Sequence, residues 1–300
     1  MKNLVYVGAI FSILSALCYA LQISVIKMTG AHIPVPVLVF IQSFICLLMV
    51  VPVIGLRHGA KSFNPITFSN IKMQHFLRTI FSLGISFFLF TALKKISYFD
   101  SVLLYNTFPL FIPFVALIIL RTKINHALWP FVFIGFAGVM LTLHLDKHIF
   151  STGAFYALGS AVSAGLSIVM MRKISAIDDS VKSLYYYFLI STILAGFVSI
   201  PFWHEVSNLH VLSILLIGIL FFFVQYFLTL AATYTTPQIV STLYYSNIVF
   251  SLILAHALFS EVITKTMIVG MIGIVIGGLG VIYMRKNTVV VKSNNILVNN

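Results

Sequence analysis

Acidic residues are scarce in this 300-residue chain, which has six Asp and Glu against 18 Lys and Arg. Charged residues of both signs make up only 8% of the sequence, whereas apolar residues make up 60% and the mean hydropathy is +1.09. A soluble domain needs more charged surface than this to face water. The shortage of charge excludes an ordinary globular domain and indicates a chain that lies almost wholly within a membrane.

Cysteines and catalytic motifs are also few. Cys18 and Cys46 both lie inside apolar runs, which disfavours a disulfide framework. The chain has neither a phosphate-binding P-loop nor a G-x-S-x-G nucleophile elbow. His144, Asp146 and His148 have a spacing that metal sites use, but one short acidic loop is not enough to define a zinc site. We therefore expect no catalytic residue, no metal and no cofactor.

The formal net charge is +12, which could indicate a nucleic-acid partner. The Lys and Arg residues, however, lie in the short breaks between apolar runs rather than along one face. That placement is typical of loops that meet anionic lipid. We expect membrane lipid to surround the chain and no nucleic acid to bind it.

Ten apolar runs are long enough to cross a bilayer, which needs about 20 residues per helix. Their uniform apolarity predicts helices rather than the alternating strands of a membrane barrel. In order, the predicted spans are Leu4–Ile26, Val35–Leu56, Gln74–Leu93, Ser101–Leu120, Ala127–Leu145, Gly153–Met171, Leu184–Phe202, Val211–Ala232, Pro237–Ser260 and Thr266–Met284. The predicted fold class is an all-α integral membrane protein.

The loop charges predict an orientation. Of the 18 Lys and Arg residues, 13 fall on the side of the two termini and five on the other side. Positively charged loops stay in the cytoplasm, so both termini are expected there. Residues 287–300 are polar and short of core-forming side chains, and we expect them to form a disordered cytoplasmic tail.

The ten runs form two similar sets of five, residues 1–148 and 149–286. In one register Ser15 pairs with Ser160, and in a slightly different register Leu104-Tyr105 pairs with Leu243-Tyr244. Because each set has an odd number of spans, the two copies must enter the membrane in opposite orientations. Such inverted repeats, with a site between the halves, are typical of secondary transporters.

The residues also carry a family resemblance. The first set contains Thr91-Ala92-Leu93, Pro109-Leu110-Phe111 and Gly138-Val139, and the second contains Ser260-Glu261 and Gly270. In this layout the chain resembles the drug/metabolite transporter superfamily, of the type built from two EamA domains. The resemblance implies ten helices in two inverted repeats, a small-molecule substrate and a place in a bacterial inner (plasma) membrane. It also implies an acid after the fourth span, where this chain has Thr122.

Polar side chains inside the spans are the candidates for a substrate site, because polar groups in a membrane should face the bundle or a wet cavity. Several of them match across the repeat, as Tyr105 does with Tyr244. The predicted substrate-binding residues are Tyr19, Gln22, Gln42, Tyr105, Asn106, Tyr187, Gln225, Tyr244, Tyr245 and Asn247. Each of the amides has an alternative role, a hydrogen bond that only joins two helices.

Two further residues are candidates for proton coupling. His256 lies in span nine and could titrate near neutrality, and Glu261 closes the same span. The alternative for His256 is a structural hydrogen bond. The alternative for Glu261 is capping of the helix that follows it near Thr264.

These observations favour a secondary transporter that moves a small organic metabolite, an amino acid or a related solute, by alternating access. Two other classes stay open. An intramembrane lipid-modifying enzyme would need an acid–base set, which His144, Asp146, His148, His204 and Glu205 could supply. A non-transporting membrane scaffold would need no site at all. The sequence leaves the coupling ion and the oligomeric state open.

Overall fold

A computed structural model describes residues 2–29, 33–58, 72–120, 126–142, 151–174, 177–178, 180–205, 211–234, 240 and 243–297. His144, Asp146, His148 and Thr122 lie outside these residues. The α-helices are α1 (Lys2–Thr29), α2 (Val35–His58), α3 (Lys72–Lys95), α4 (Tyr98–Tyr105), α5 (Phe108–Leu120), α6 (Trp129–Thr142), α7 (Thr152–Ile174), α8 (Ser180–Ser199), α9 (Val211–Tyr234), α10 (Ser246–Phe259) and α11 (Lys265–Leu297). Short 3₁₀ turns lie at His126–Leu128 and Ile200–Glu205.

The helices agree with the ten predicted spans. Seven segments of the described chain are long and apolar enough to cross a membrane, and α4 and α5 together form one of them. Three shorter apolar segments, His126–Leu141, Ser246–Phe259 and Lys265–Val281, complete the ten. Helices satisfy every backbone N–H and C=O internally, which lipid requires. The prediction of an all-α multi-pass membrane protein is confirmed.

The helix pairing follows the repeat. The most extensive contacts of α3 are with α7, and those of α1 are with α9, so each half packs its first and third spans on the other half. The second spans, α2 and α8, pack together, as do the fifth spans, α6 and α11. Exchanging the two halves leaves this set of pairs unchanged. The bundle therefore has the pseudo-two-fold arrangement that the inverted repeat predicts.

Glycines allow the fifth spans to touch. A Cβ added at Gly138 of α6 would lie 2.6 Å from the carbonyl oxygen of Gly270, and one added at Gly277 of α11 would lie 2.6 Å from the Cα of Gly135. Close backbone approach of this kind gives helix association in lipid through van der Waals contact. It also holds the two halves together on one side of the bundle.

Helix α11 continues to Leu297. Neither glycine nor proline follows Gly280, so nothing in the sequence stops the helix there. The disordered cytoplasmic tail at residues 287–300 stays a prediction.

Candidate functional site

A cavity of about 340 Å³ lies between the two halves. Its walls come from α1, α3, α5, α7, α8 and α9, with Tyr105 and Tyr244 from the fourth and ninth spans. Six of the ten predicted substrate-binding residues line it: Tyr19, Gln22, Tyr105, Tyr187, Gln225 and Tyr244. The structure thus brings polar groups from both halves to one central space.

Three tyrosines form one end of this cavity. The ring of Tyr19 lies 5.4 Å from that of Tyr105 and 6.0 Å from that of Tyr244, measured between centroids, and all three side chains are buried. Aromatic pairs at this separation attract each other beyond the burial of their surface. Because Tyr105 and Tyr244 are related by the repeat, each half contributes an equivalent ring to the aromatic end of the cavity.

Both rings lie where a helix is interrupted. The fourth span breaks at Asn106 and Thr107, because Pro109 has no N–H to donate to the carbonyl of Tyr105. The ninth span turns at Tyr245 before α10 begins, although Ile248 stands where the first half has its proline. Interrupted helices at matching positions of two repeats are a recurrent feature of transporter sites.

Beyond the tyrosines the bundle is closed. The hydroxyl of Tyr98 donates to the carbonyl of Ala20 at 3.0 Å and lies 3.2 Å from the Ser251 hydroxyl. Its ring stacks on that of Phe259 at 5.0 Å. Tyr98 is fully buried, so these contacts hold α1 and the fourth and ninth spans together.

Glu261 belongs to this closed end. Its two carboxylate oxygens accept the backbone N–H groups of Tyr98 at 2.6 Å and Phe99 at 3.0 Å, which are orphan donors in the first turn of α4. Glu261 therefore caps α4 rather than the helix that follows it. Burial raises the pKa of Glu261, although the two N–H groups act in the opposite direction. His256, the other coupling candidate, is exposed on α10.

The opposite part of the cavity is charged. Arg78 lies in the second turn of α3, is only 5% exposed and lines the cavity. Its Nη1 donates to the carbonyl of Ser183 at 3.2 Å and to the hydroxyl of the same residue. Its Cζ lies 5.3 Å from the ring centroid of Tyr187, the distance of a cation–π contact.

A second polar cluster is next to Arg78. Asp178 lines the cavity and accepts from His75 Nε2 at 2.9 Å and from Lys182 Nζ at 3.1 Å. His75 is buried and its ring stacks on Tyr186 at 4.6 Å. The three titratable groups tie the start of α3 to the start of α8.

The other predicted residues lie behind the cavity wall. Gln42 accepts a hydrogen bond from Gln22 at 2.8 Å and so supports a lining residue. Asn106 donates to the carbonyl of Val102 within its own helix. Asn247 accepts from Ser251 at 3.2 Å. The bond of Gln42 joins two helices, which was the alternative to substrate binding, whereas the bonds of Asn106 and Asn247 are local.

Tyr245 packs against α11. A Cβ added to Gly278 would lie 1.6 Å from the Tyr245 hydroxyl oxygen, so the glycine gives the phenol its space. The residue is buried and does not line the cavity.

The sequence interpretation missed Arg78, which it counted among the loop charges. The signal was nevertheless present, because Arg78, Ser82 and Ser86 recur every four residues along α3 and therefore share a helical face. All three line the cavity, and Ser82 lies 2.7 Å from Ser167 of α7. A polar face on an apolar helix points inward in a membrane.

Comparison with known families gives a match over nearly the whole chain. The EamA-like transporter family matches residues 6–144 and again residues 151–283. The two matches coincide with the two sets of five spans. A solved crystal structure of a protein superposes with a TM-score of 0.62 over 96% of this chain and 99% of that chain, at 17% identity, which shows the fold alone.

Curated relatives are named as transporters or carriers. The S-adenosylmethionine uptake transporter of Rickettsia felis is 26% identical over 59% of this chain and 60% of its own length. The chain thus spans less than two thirds of that relative. Solute carrier family 35 member G1 of Mus musculus is 27% identical over 91% of this chain and 77% of its own length. These names indicate membrane transport of small molecules rather than catalysis.

Proposed function

The chain belongs to the EamA-like transporter family, and from that premise we propose that it moves an amino acid or a related metabolite across the membrane by alternating access. The observation that carries this proposal is the central cavity, which both halves line and where Tyr105 and Tyr244 meet Tyr19. A cavity of about 340 Å³ is within the range of small-molecule sites.

The polar groups of the wall suit a solute that forms hydrogen bonds. The Oε1 atom of Gln22 is buried without a hydrogen-bond partner among the described residues. A buried polar atom without a partner costs about 1–3 kcal/mol, which a bound solute would offset. Serine hydroxyls on α3 and α7 add further donors and acceptors.

In the proposed cycle the two halves rock about the cavity. The closed end, held by Tyr98 and by Glu261 on α4, would open while the end near Arg78 closes. The equivalent helix pairs across the bundle support exchange of two such states. The solute gradient or a proton gradient would drive the cycle, with Glu261 as the coupling candidate at the closed end.

The experiment is uptake into proteoliposomes. Purified protein should concentrate at least one radiolabelled amino acid in counterflow, when the vesicles are preloaded with the same unlabelled solute. Liposomes without protein and vesicles with the Tyr105→Ala variant are the controls. Equal uptake in all three for a panel of amino acids and related metabolites would contradict the proposal.

The proposed orientation has its own test. Both termini should be cytoplasmic, because 13 of 18 Lys and Arg residues were assigned to that side, and without the buried Arg78 the split is still 12 against 5. Reporter fusions after Leu145 and after Met284 should read external and internal, respectively. Identical readouts would contradict the inverted topology.

A further inference from the structure

Arg78 places a positive charge in the wall of the cavity. An arginine guanidinium stays protonated in proteins, so the charge cannot be removed by losing a proton. A buried charge in the low-dielectric interior of a membrane bundle is costly unless another group compensates it. The effect of this charge therefore depends on the groups that surround Arg78.

The contacts of Arg78 are with neutral groups. Nη1 bonds to Ser183 and the guanidinium lies over the ring of Tyr187. Among the described residues no ion pair joins Arg78 to a carboxylate, and the two oxygens of Asp178 bond to His75 and Lys182. The charge is therefore held in place without being neutralised.

One donor of the guanidinium has no partner in the protein. The Nε atom is buried and has no hydrogen-bond partner among the described residues, whereas Nη1 is engaged by Ser183. Nε and Nη2 together form the two-donor edge that matches the two oxygens of a carboxylate. Tyr187 and Ser183 fix the plane of the guanidinium, so this two-donor edge is oriented before any ligand binds.

We infer that Arg78 is the anion-recognition residue of the cavity and that the solute carries a carboxylate that binds its Nε–Nη2 edge. This inference rests on the proposed function, because it names the chemical class that the same cavity selects. Ser82 and Ser86 continue the polar face of α3 away from Arg78, so they meet the rest of the solute. The aromatic end of the cavity lies at the other side of the bound molecule.

The test compares acids with their amides. The probes are the 20 standard amino acids and their C-terminal amides, which have nearly the same size but lack the carboxylate charge. Binding is measured by ligand-dependent thermal stabilisation and by calorimetry on the purified protein in detergent. At least one amino acid should bind, and its amide should bind about 10–100-fold more weakly, the range expected when a charge-assisted hydrogen bond is lost.

Variants assign the effect to Arg78. Arg78→Gln should abolish the difference between acid and amide, and Arg78→Lys should keep part of it because lysine supplies the charge without the two-donor edge. Lys173→Gln, which removes the same charge from an exposed position of α7, is the matched control and should bind like the wild type. If Arg78→Gln does not fold, Arg78→Lys and the wild-type acid–amide comparison decide the question.

Three results would overturn the inference. They are equal binding of acid and amide to the wild type, an unchanged acid preference in Arg78→Gln, and no binding by any carboxylate of the panel. Flux separates this inference from the proposed function. Equal transport of acid and amide would leave the transporter standing and remove the role of Arg78. Acid-selective binding that depends on Arg78, without any flux, would leave the role of Arg78 standing and contradict the proposed transport.

Discussion

The two ends of the central cavity are built differently. At the aromatic end, Tyr105 and Tyr244 occupy equivalent positions of the two repeats and meet at Tyr19. At the other end, Arg78 and Asp178 carry opposite charges and are not equivalent to each other. Symmetry therefore describes one end of the cavity and fails at the other.

The repeat identifies the residues that correspond to Arg78 and Asp178 in the other half. The register that pairs Tyr105 with Tyr244 places Ile217 opposite Arg78, and the register that pairs Ser15 with Ser160 places Ile33 opposite Asp178. Both counterparts are buried apolar side chains that pack in the core. The two halves thus share the packing of their helices, whereas neither Arg78 nor Asp178 has a charged counterpart in the other half.

The largest expected effect comes from a substitution at the charged end of the cavity. Asp178→Ala removes the hydrogen-bond partner of the buried His75 and the ion-pair partner of Lys182, and each buried polar group left without its partner costs about 1–3 kcal/mol. We expect a large fall in the thermal unfolding midpoint in detergent. Asp178→Asn, which can still bond to His75, should lose less. Ile177→Ala at an exposed neighbouring position is the control, and an equal loss there would contradict the account.

The second prediction concerns the helix packing that the two halves share, away from the cavity. In Gly138→Ala the new Cβ would lie 2.6 Å from a backbone oxygen of α11, and overpacking of this kind costs about 1–3 kcal/mol. Gly165→Ala is the matched control, because its nearest neighbour is a side-chain carbon of Phe111 at 3.6 Å. Only Gly138→Ala should lower thermal stability. Equal stability of both variants would remove the close contact between α6 and α11 from the account.

The third prediction tests the aromatic end. Tyr244→Ala should weaken solute binding about tenfold, because an aromatic pair contributes about 0.5–1.5 kcal/mol beyond its buried surface. Tyr244→Phe keeps the ring and should bind nearly as well as the wild type. Tyr226→Ala is the control, since this ring stacks on Phe222 and does not line the cavity. Calorimetry with an amino acid that is taken up in counterflow measures all three, and wild-type affinity in Tyr244→Ala would contradict the prediction.

The smallest effect concerns pH at the closed end. Burial against α4 raises the pKa of Glu261. Of the charged groups that face it, Asp100 also raises the pKa and Lys27 lowers it. Proton uptake therefore favours this closed contact over a conformation in which Glu261 is in water, and the preference is lost as pH rises through the raised pKa. The expected shift is below about 1 kcal/mol, the usual size of an effect at a helix terminus.

Spin labels can measure that shift. In a background without Cys18 and Cys46, labels on Lys95→Cys and Val262→Cys report the distance across the closed end from exposed positions. The short-distance population should fall as pH rises, and Glu261→Gln should abolish this dependence. His256→Gln should keep it, because His256 is exposed on α10. A pH response that survives in Glu261→Gln would contradict the role of Glu261.

The fold was predictable because lipid leaves few choices. Each apolar run of about 20 residues must be helical to satisfy its backbone, and the odd number of spans per repeat determines the inverted arrangement. The interruption at Asn106 was harder to foresee. Pro109 marks it in the first half, but the matching turn at Tyr245 has no proline.

The site was predictable only in part. Tyrosines such as Tyr105 and Tyr244 could be found by matching the repeats, since symmetry relates them. Arg78 could not be found in that way because its counterpart is Ile217, and its position near the start of a span resembles that of a loop charge. Amides such as Asn106 and Asn247 could not be assigned from sequence, because only coordinates show that their bonds are local.

The central claim is that the solute occupies the space between the two halves. The most direct measurement labels Ser86→Cys and Gln225→Cys, which line the cavity from opposite halves, with a small thiol reagent in proteoliposomes lacking Cys18 and Cys46. The account predicts that labelling at either position stops counterflow and that a saturating transported amino acid slows labelling at both. Unchanged labelling at both positions in the presence of that amino acid would contradict it.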